Sequence, residues 1–263
     1  CYSYCLEQLY RVTRAGRNMS IHCMPMPTSL VRDGVISILD FPGEIVRAAS
    51  KAGFFLHGDV IVWKSPVVAQ ARTHAKGLTH AVIAKDGCDA RMGLYDRILT
   101  FKKPGINKVP VPLLRANHTD EEWRAMYESA RDGSTFPLGV SSIDFEKPQN
   151  LDRIPVELWQ IWASPVWTDI NQSDTLQNRS ARDDKDEKHI CPMQLEPIQR
   201  LLDLYTNPGD VVLDPYGGIA STGHVAMGGK TRRGYCVSEP RKFVYIELKE
   251  SYFKQGVENL RRV

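Results

Sequence analysis

The chain has 263 residues, 42% of them hydrophobic and 25% charged, with a formal net charge of +3 at pH 7. These proportions exclude a disordered or low-complexity chain and provide length for one large domain or a core with a smaller lobe. A charge of +3 is too small to establish a polyanionic partner, so a nucleic-acid role has to rest on where the basic residues sit.

The chain opens at Cys1 inside what reads as an amphipathic helix, with Tyr2, Cys5, Leu6, Leu9 and Tyr10 on its apolar stripe. An upstream part is expected before it. The turn Arg14-Ala15-Gly16-Arg17 ends that helix, and an apolar strand is expected over 18–24. Asp40 as cap, Pro42 in the first turn, the stripe Ile45, Val46, Ala49 and Ala52, and Gly53 as terminator predict a second helix. Strands follow over 59–64 and 94–102, and this alternation predicts a wound α/β sheet rather than a sandwich. The excursion between those strands is locally basic, with Lys64, Arg72, Lys76, Lys85 and Arg91 as candidates for DNA phosphate contact against the alternative of an ordinary solvated surface.

From 104 to about 150 the chain is rich in Pro, Gly and polar residues, apart from one helix. Thr119 and Glu122 form its capping box, and Trp123, Met126, Tyr127 and Ala130 its buried stripe. Trp159, Trp162 and Trp167 read as core, with stacking on a displaced base as the alternative. A charged run over 179–189 cancels its own charge and reads as a solvated loop. Leu195, Ile198, Leu201, Leu202 and Tyr205 then mark a helix, Asn207-Pro208-Gly209-Asp210 a turn, and 211–213 a buried strand. A strand over 243–248 and a helix carrying Phe253, Val257 and Leu260 close the chain.

The six cysteines are scattered, and no pair has the spacing with which adjacent thiolates grip zinc, so reduced, mostly buried thiols and no metal are expected. No apolar stretch reaches the roughly 18 residues that span a bilayer and no leader is visible, so the expectation is a cytoplasmic protein with no membrane partner.

The most informative residues run from Asp214 through Pro215, Tyr216, Gly217, Gly218, Ile219, Ala220, Ser221 and Thr222 to Gly223, between an apolar strand and a helix. Small residues at such a bend let the backbone approach a ligand, and the helix start offers N–H groups to a carboxylate. An acidic residue ending the next strand can accept hydrogen bonds from both hydroxyls of a ribose. Glu247 is the candidate, with Glu239 as the alternative if 233–239 forms that strand.

Asp214-Pro215-Tyr216 with Gly218 and Thr222 resembles the cofactor loop of the amino-methylating DNA methyltransferases, which act on adenine N6 or cytosine N4. His189-Ile190-Cys191-Pro192-Met193-Gln194 resembles the segment that closes over the methionine end of the cofactor in that family. The turn 207–210 and the stretch 246–253 resemble it too, particularly phage and prophage members, and the segments 9–16, 21–24 and 98–103 extend the likeness. The resemblance implies a Rossmann-like α/β sheet binding S-adenosylmethionine through His189, Cys191, Pro192, Gln194, Asp214, Pro215, Tyr216, Gly218, Ala220, Ser221, Thr222 and Glu247. It further implies double-stranded DNA as partner and a target base swung out of the duplex, in a bacterial host or encoded by a phage. The order is permuted: 1–103 carries catalytic-half strands, 104–158 a peripheral lobe that reads the target, and 159–263 the cofactor half.

Two departures qualify that picture. The family's catalytic Pro-Pro-aromatic motif occurs nowhere in the chain and is expected upstream, so this stretch alone would be inactive. Ala220 stands where the family usually has glycine. Ser164-Pro165-Val166-Trp167 looks like the motif but reads as a packed turn, and Gly228-Gly229-Lys230-Thr231 lacks the strand that a phosphate loop needs. A catalytically dead relative that binds DNA or a partner, and a methyltransferase acting on RNA, are the alternatives.

Overall fold

The strand β5 (Asp96–Lys102) organises the first half of the chain, because both of its faces are buried. The computed structural model describes residues 2–134, 143, 152–176 and 192–263. They divide into two units: 1–109 with 164–168, and 110–163 with 169–263.

In the first unit, α1 (Tyr2–Val12) leads into β1 (Asn18–Cys23), which pairs antiparallel with β5. A small hairpin of β2 (Met26–Pro27) and β3 (Ile38–Leu39) brackets α2 (Leu30–Asp33), and α3 (Phe41–Lys51) precedes β4 (Phe55–Val62). After β4 come α4 (Pro66–Thr73) and α5 (His80–Lys85), and the chain returns much later as β6 (Val166–Trp167). The sheet order is β1-β5-β4-β6, with β6 parallel to β4 and the other pairs antiparallel.

Alternation along the strands sorts the two faces. Met19, Ile21 and Cys23 of β1 and Leu99 and Phe101 of β5 face one way, onto Leu6, Leu9 and Tyr10 of α1 and Ile45 and Ala49 of α3. Asp40 caps α3 by accepting from the Gly43 N–H at 2.9 Å. Lys103 ties the end of α1 to the sheet, its ammonium donating to the carbonyls of Tyr10 and Thr13 at 2.6 and 2.7 Å.

Polar groups occupy the opposite face. The hydroxyls of Ser20 and Thr100 share a hydrogen bond of 2.9 Å, and Asp96 Oδ2 meets His22 Nε2 at 2.8 Å and Lys64 Nζ at 2.5 Å. Burial opposes the charge of Asp96, but the His22 hydrogen bond and the Lys64 ammonium outweigh it and hold the carboxyl below its ordinary value.

Several elements differ from expectation. β4 begins at Phe55, earlier than the apolar run, because pairing with β5 continues through a bulge between Leu56 and Gly58. The basic excursion is partly helical: Ser65 caps α4, and α5 buries no residue. Ser164 makes the packed turn expected of it, its hydroxyl donating to the Val166 carbonyl at 2.9 Å while Trp167 is buried in β6. The described cysteines are free, yet Cys23 alone of them is buried, with its thiol pushed up to about 11 by that burial, and Cys88 is exposed.

In the second unit, the capping box Thr119/Glu122 opens α6 (Asp120–Gly133), with N–H to side-chain bonds of 3.2 and 2.9 Å. Its stripe of Trp123, Met126, Tyr127 and Ala130 packs on Leu158, Ile161 and Trp162 of α7 (Val156–Trp162). Trp159 is 48% exposed, so the tryptophan run is core at Trp162 and Trp167 and surface at Trp159. Next come α8 (Leu195–Tyr205), β7 (Val211–Asp214), α9 (Ser221–Ala226), β8 (Lys242–Tyr245) and α10 (Glu250–Leu260), with β7 and β8 paired in parallel.

Both sides of α8 are buried. Leu195, Ile198 and Leu202 join Val225 and Ala226 of α9 in an apolar cluster. On the other side Glu196 meets Arg233 at 3.2 Å, Arg200 forks onto Asp169, and Asp203 meets His118 at 2.9 Å and Arg241 at 3.5 Å. Desolvation offsets most of the attraction in such pairs, so this layer restricts partners more than it adds stability.

Asp96→Asn should destabilise the protein by about 3 kcal/mol at neutral pH, since it leaves the Lys64 ammonium without its counter-ion. A lowered acid contributes above its unfolded value and loses that contribution as pH falls through its folded value. Urea midpoints should therefore separate wild type from variant at pH 7, begin to approach one another as pH falls below about 4, and converge once the lowered folded value is passed.

Candidate cofactor site

The turn after β7 is held by backbone groups and by several side chains, Asp214, Thr222 and Glu247 among them. The segment 207–210 sets the strand, with the Asn207 N–H donating to Asp210 Oδ2 at 2.8 Å and the Gly209 N–H to the Pro240 carbonyl at 3.0 Å. β7 then runs beside β8 in register from Val211 opposite Lys242 to Asp214 opposite Tyr245.

At the strand end Asp214 braces the turn. Its Oδ1 accepts from the Tyr216 N–H at 3.0 Å and its Oδ2 from the Thr222 hydroxyl at 2.6 Å, so one carboxylate spans the loop from start to finish. The Gly217 N–H donates to the Ile246 carbonyl at 3.0 Å, continuing the ladder past the strands. Glu247 supplies the second carboxylate: Oε2 accepts from the Gly218 N–H and Oε1 from the Lys249 N–H, each at 2.8 Å.

Gly217 and Gly218 do different things. A Cβ on Gly217 would sit 2.3 Å from the Tyr245 ring, whereas one on Gly218 would meet nothing within 4 Å. The turn thus has a packed side and an open side. Gly218 takes φ +52° and Ala220 φ +66°, both left-handed. For Ala220 that conformation costs about 1–2 kcal/mol, a physical reason for glycine to be the usual occupant.

Of the residues singled out from sequence, Asp214, Gly218, Thr222 and Glu247 are joined by hydrogen bonds to one another or to the same turn. Pro215 is half-buried between them, Tyr216 is exposed on the rim, and Ala220 and Ser221 are buried beneath. Pro192 and Gln194 stand at the entry to α8, with Gln194 buried and making no capping bond. His189 and Cys191 lie outside the described residues. Glu239 is exposed in a segment that is not a strand, and its carbonyl accepts from Arg241. Residues 228–231 leave α9 through the Gly229 N–H bond to the His224 carbonyl, with no strand leading in.

The basic candidates are dispersed. Lys64 binds Asp96, Lys85 is exposed on α5, and Arg91 is half-buried with its guanidinium 3.5 Å from the Met92 carbonyl. The side chains of Arg72 and Lys76 lie outside the described set. Among the described residues no group of three or more His, Cys, Asp or Glu is placed to hold a metal, and no helix is long and apolar enough to cross a membrane.

The sequence model of the N6/N4 DNA methylase family matches residues 3–258. The chain belongs to this family. It is 34% identical over 77 residues, 29% of its length, to the DNA adenine methyltransferase YhdJ of Escherichia coli K12. That stretch spans 23% of the enzyme, so the match covers less than a quarter of that relative. Among solved structures it is similar to a protein of Thermus thermophilus, described as a DNA modification methylase and complexed with S-adenosyl-L-methionine, at TM-score 0.57 and 19% identity over 99% of this chain and 75% of that one. The cytosine-N4-specific PvuII DNA methyltransferase is similar at TM-score 0.51 and 15% identity, over 92% of this chain and 63% of that one. At those identities the two structures establish a shared fold, the mixed α/β arrangement expected from the sequence.

For this methylase-family chain, Thr222→Val tests the brace. It leaves Asp214 Oδ2 without its donor and should lower stability by about 1–3 kcal/mol. A urea midpoint equal to wild type would show that the bond does not hold the turn.

Proposed function

We propose that this chain carries the cofactor-binding half of an enzyme that transfers a methyl group from S-adenosylmethionine to the exocyclic amine of adenine (N6) or cytosine (N4) in double-stranded DNA. The observation that carries the proposal is the bond from the Gly218 N–H to Glu247, which sets a ribose-clasping carboxylate beside a turn with an open side.

The residues present fit that cofactor. Each Glu247 oxygen takes one backbone N–H and retains a second acceptor site for a sugar hydroxyl. Leu248, the next residue along the chain, is fully exposed and offers apolar surface to a purine ring. Asp214 shapes the turn rather than reaching outward, since both of its oxygens are bonded within the loop. In this reading Pro192 and Gln194, with His189 and Cys191, close over the methionine end, and Pro215, Tyr216, Ala220, Ser221 and Thr222 form the wall. When bound, the cofactor supplies an electrophilic methyl on a sulfonium. The base must leave the stack to present its amine lone pair in line with that methyl.

Further assignments follow the same reading. Lys85 and Arg91, with Arg72 and Lys76, contact phosphate, and the lobe 104–158 reads the target sequence. Lys64 contributes less to that contact, because its ammonium is bound to Asp96. A role on DNA places the protein in the cytoplasm. The second reading is a catalytically dead relative that binds DNA or a partner, and an intact Pro-Pro-aromatic motif upstream of these 263 residues separates it from the enzyme.

Calorimetry with S-adenosylhomocysteine tests the site. Glu247→Ala in the complete protein should weaken binding tenfold or more, about 1.4 kcal/mol. Unchanged affinity overturns the assignment. Tritiated S-adenosylmethionine incubated with unmethylated duplex DNA and with RNA should label the DNA, as N6-methyladenine or N4-methylcytosine on digestion. Binding without transfer would establish the second reading, and label in RNA alone would move the substrate class.

A further inference from the structure

Tyr245 lies two residues before Glu247. The alternation of half-buried Phe243, Tyr245 and Glu247 with exposed Lys242, Val244, Ile246 and Leu248 runs on past the end of β8, so these three side chains share a face. The Tyr245 phenol donates to the Gly218 carbonyl at 2.5 Å and lies 3.3 Å from the Tyr252 carbonyl. Since Glu247 holds the N–H of the same glycine, both backbone polar groups of Gly218 are gripped by side chains from one strand end.

The ring itself is fixed on several sides. Phe253 stacks on it at 5.1 Å and 8°, and Phe243 at 6.0 Å and 23°. A Cβ on Gly256 would sit 2.2 Å from the hydroxyl, and one on Gly217 2.3 Å from the ring edge. Burial, with the charges of Glu247 and Asp214, pushes the phenol up to about 12, so it remains a donor throughout the neutral range.

Gly218 needs such a hold. Its φ of +52° is one of several conformations open to a glycine, and the open side of the turn brings no packing that would select it. A carbonyl rotated to the other side would close the space where a ligand would lie.

We propose that Tyr245 is a positioning residue for the cofactor: through the Gly218 carbonyl it holds the turn in the conformation that receives the amino-acid portion of S-adenosylmethionine, without touching the ligand. The proposal rests on the cofactor reading above and adds to it a division of labour, Glu247 for the sugar and Tyr245 for the turn.

The test compares two ligands on the complete protein by calorimetry: S-adenosylhomocysteine, which has the amino-acid tail, and 5′-methylthioadenosine, which lacks it. Tyr245→Phe keeps the stacked ring and removes only the hydroxyl. It should weaken S-adenosylhomocysteine by roughly five- to thirtyfold, the range for a carbonyl left without its donor, and change 5′-methylthioadenosine less than about twofold. Equal weakening of both ligands would indicate a purely structural role and overturn the proposal, as would unchanged affinity for both. If wild type binds neither ligand, the cofactor reading itself falls and this proposal with it, an outcome distinct from wild-type binding that Tyr245→Phe leaves intact.

Discussion

Two parallel strands end side by side, and the chain beyond each would be free to wander if the two ends were not tied together. The hydrogen bond from the Gly218 N–H to Glu247 makes that tie, together with the Gly217 N–H bond to the Ile246 carbonyl and the Tyr245 hydroxyl bond to the Gly218 carbonyl. A carboxylate accepting backbone N–H groups is among the stronger hydrogen bonds a protein makes, about twice a neutral one. Here it joins a turn with little packing of its own to a strand anchored by the Phe243 side chain in the cluster under α8 and α9.

Charge is handled differently in the two units. In the first, Asp96 is buried at the start of a central strand, hydrogen-bonded to His22 and paired with the Lys64 ammonium, a compact arrangement at one end of the sheet. In the second, the charges run along a whole helix face: Glu196, Arg200 and Asp203 of α8 meet Arg233, Asp169 and Arg241, each from a different segment. Such a layer tolerates only one alignment of the segments, because a slip would leave a buried ion without its partner.

Much of this was legible in the residues. The helices α1, α3, α6, α8 and α10 follow from apolar spacing, with side-chain caps added at α3 and α6, since a stripe at helical period must find cover wherever it lies. The bend after β7 was legible because glycines and an acidic strand end have few other uses together. What escaped is equally physical. β6 is a two-residue strand, and β2 and β3 are short and mostly exposed, so burial wrote no pattern into them. The polar face of α8 reads as solvated in sequence, because charged residues are buried only where partners far along the chain neutralise them. Tyr245 was missed for a related reason: an aromatic in a strand reads as core, and its hydroxyl bond to a glycine 27 positions earlier leaves no local trace.

The close approach of Gly217 and Gly256 to Tyr245 has an evolutionary corollary. Three positions scattered over forty residues of chain share a single volume, so none can drift alone. Enlarging either glycine evicts the phenol ring, and only a lineage that had first traded the tyrosine for something smaller would be free to fill the vacated space with a methyl group. Substitutions at these sites should consequently travel together through descent, as a linked trio rather than as independent changes.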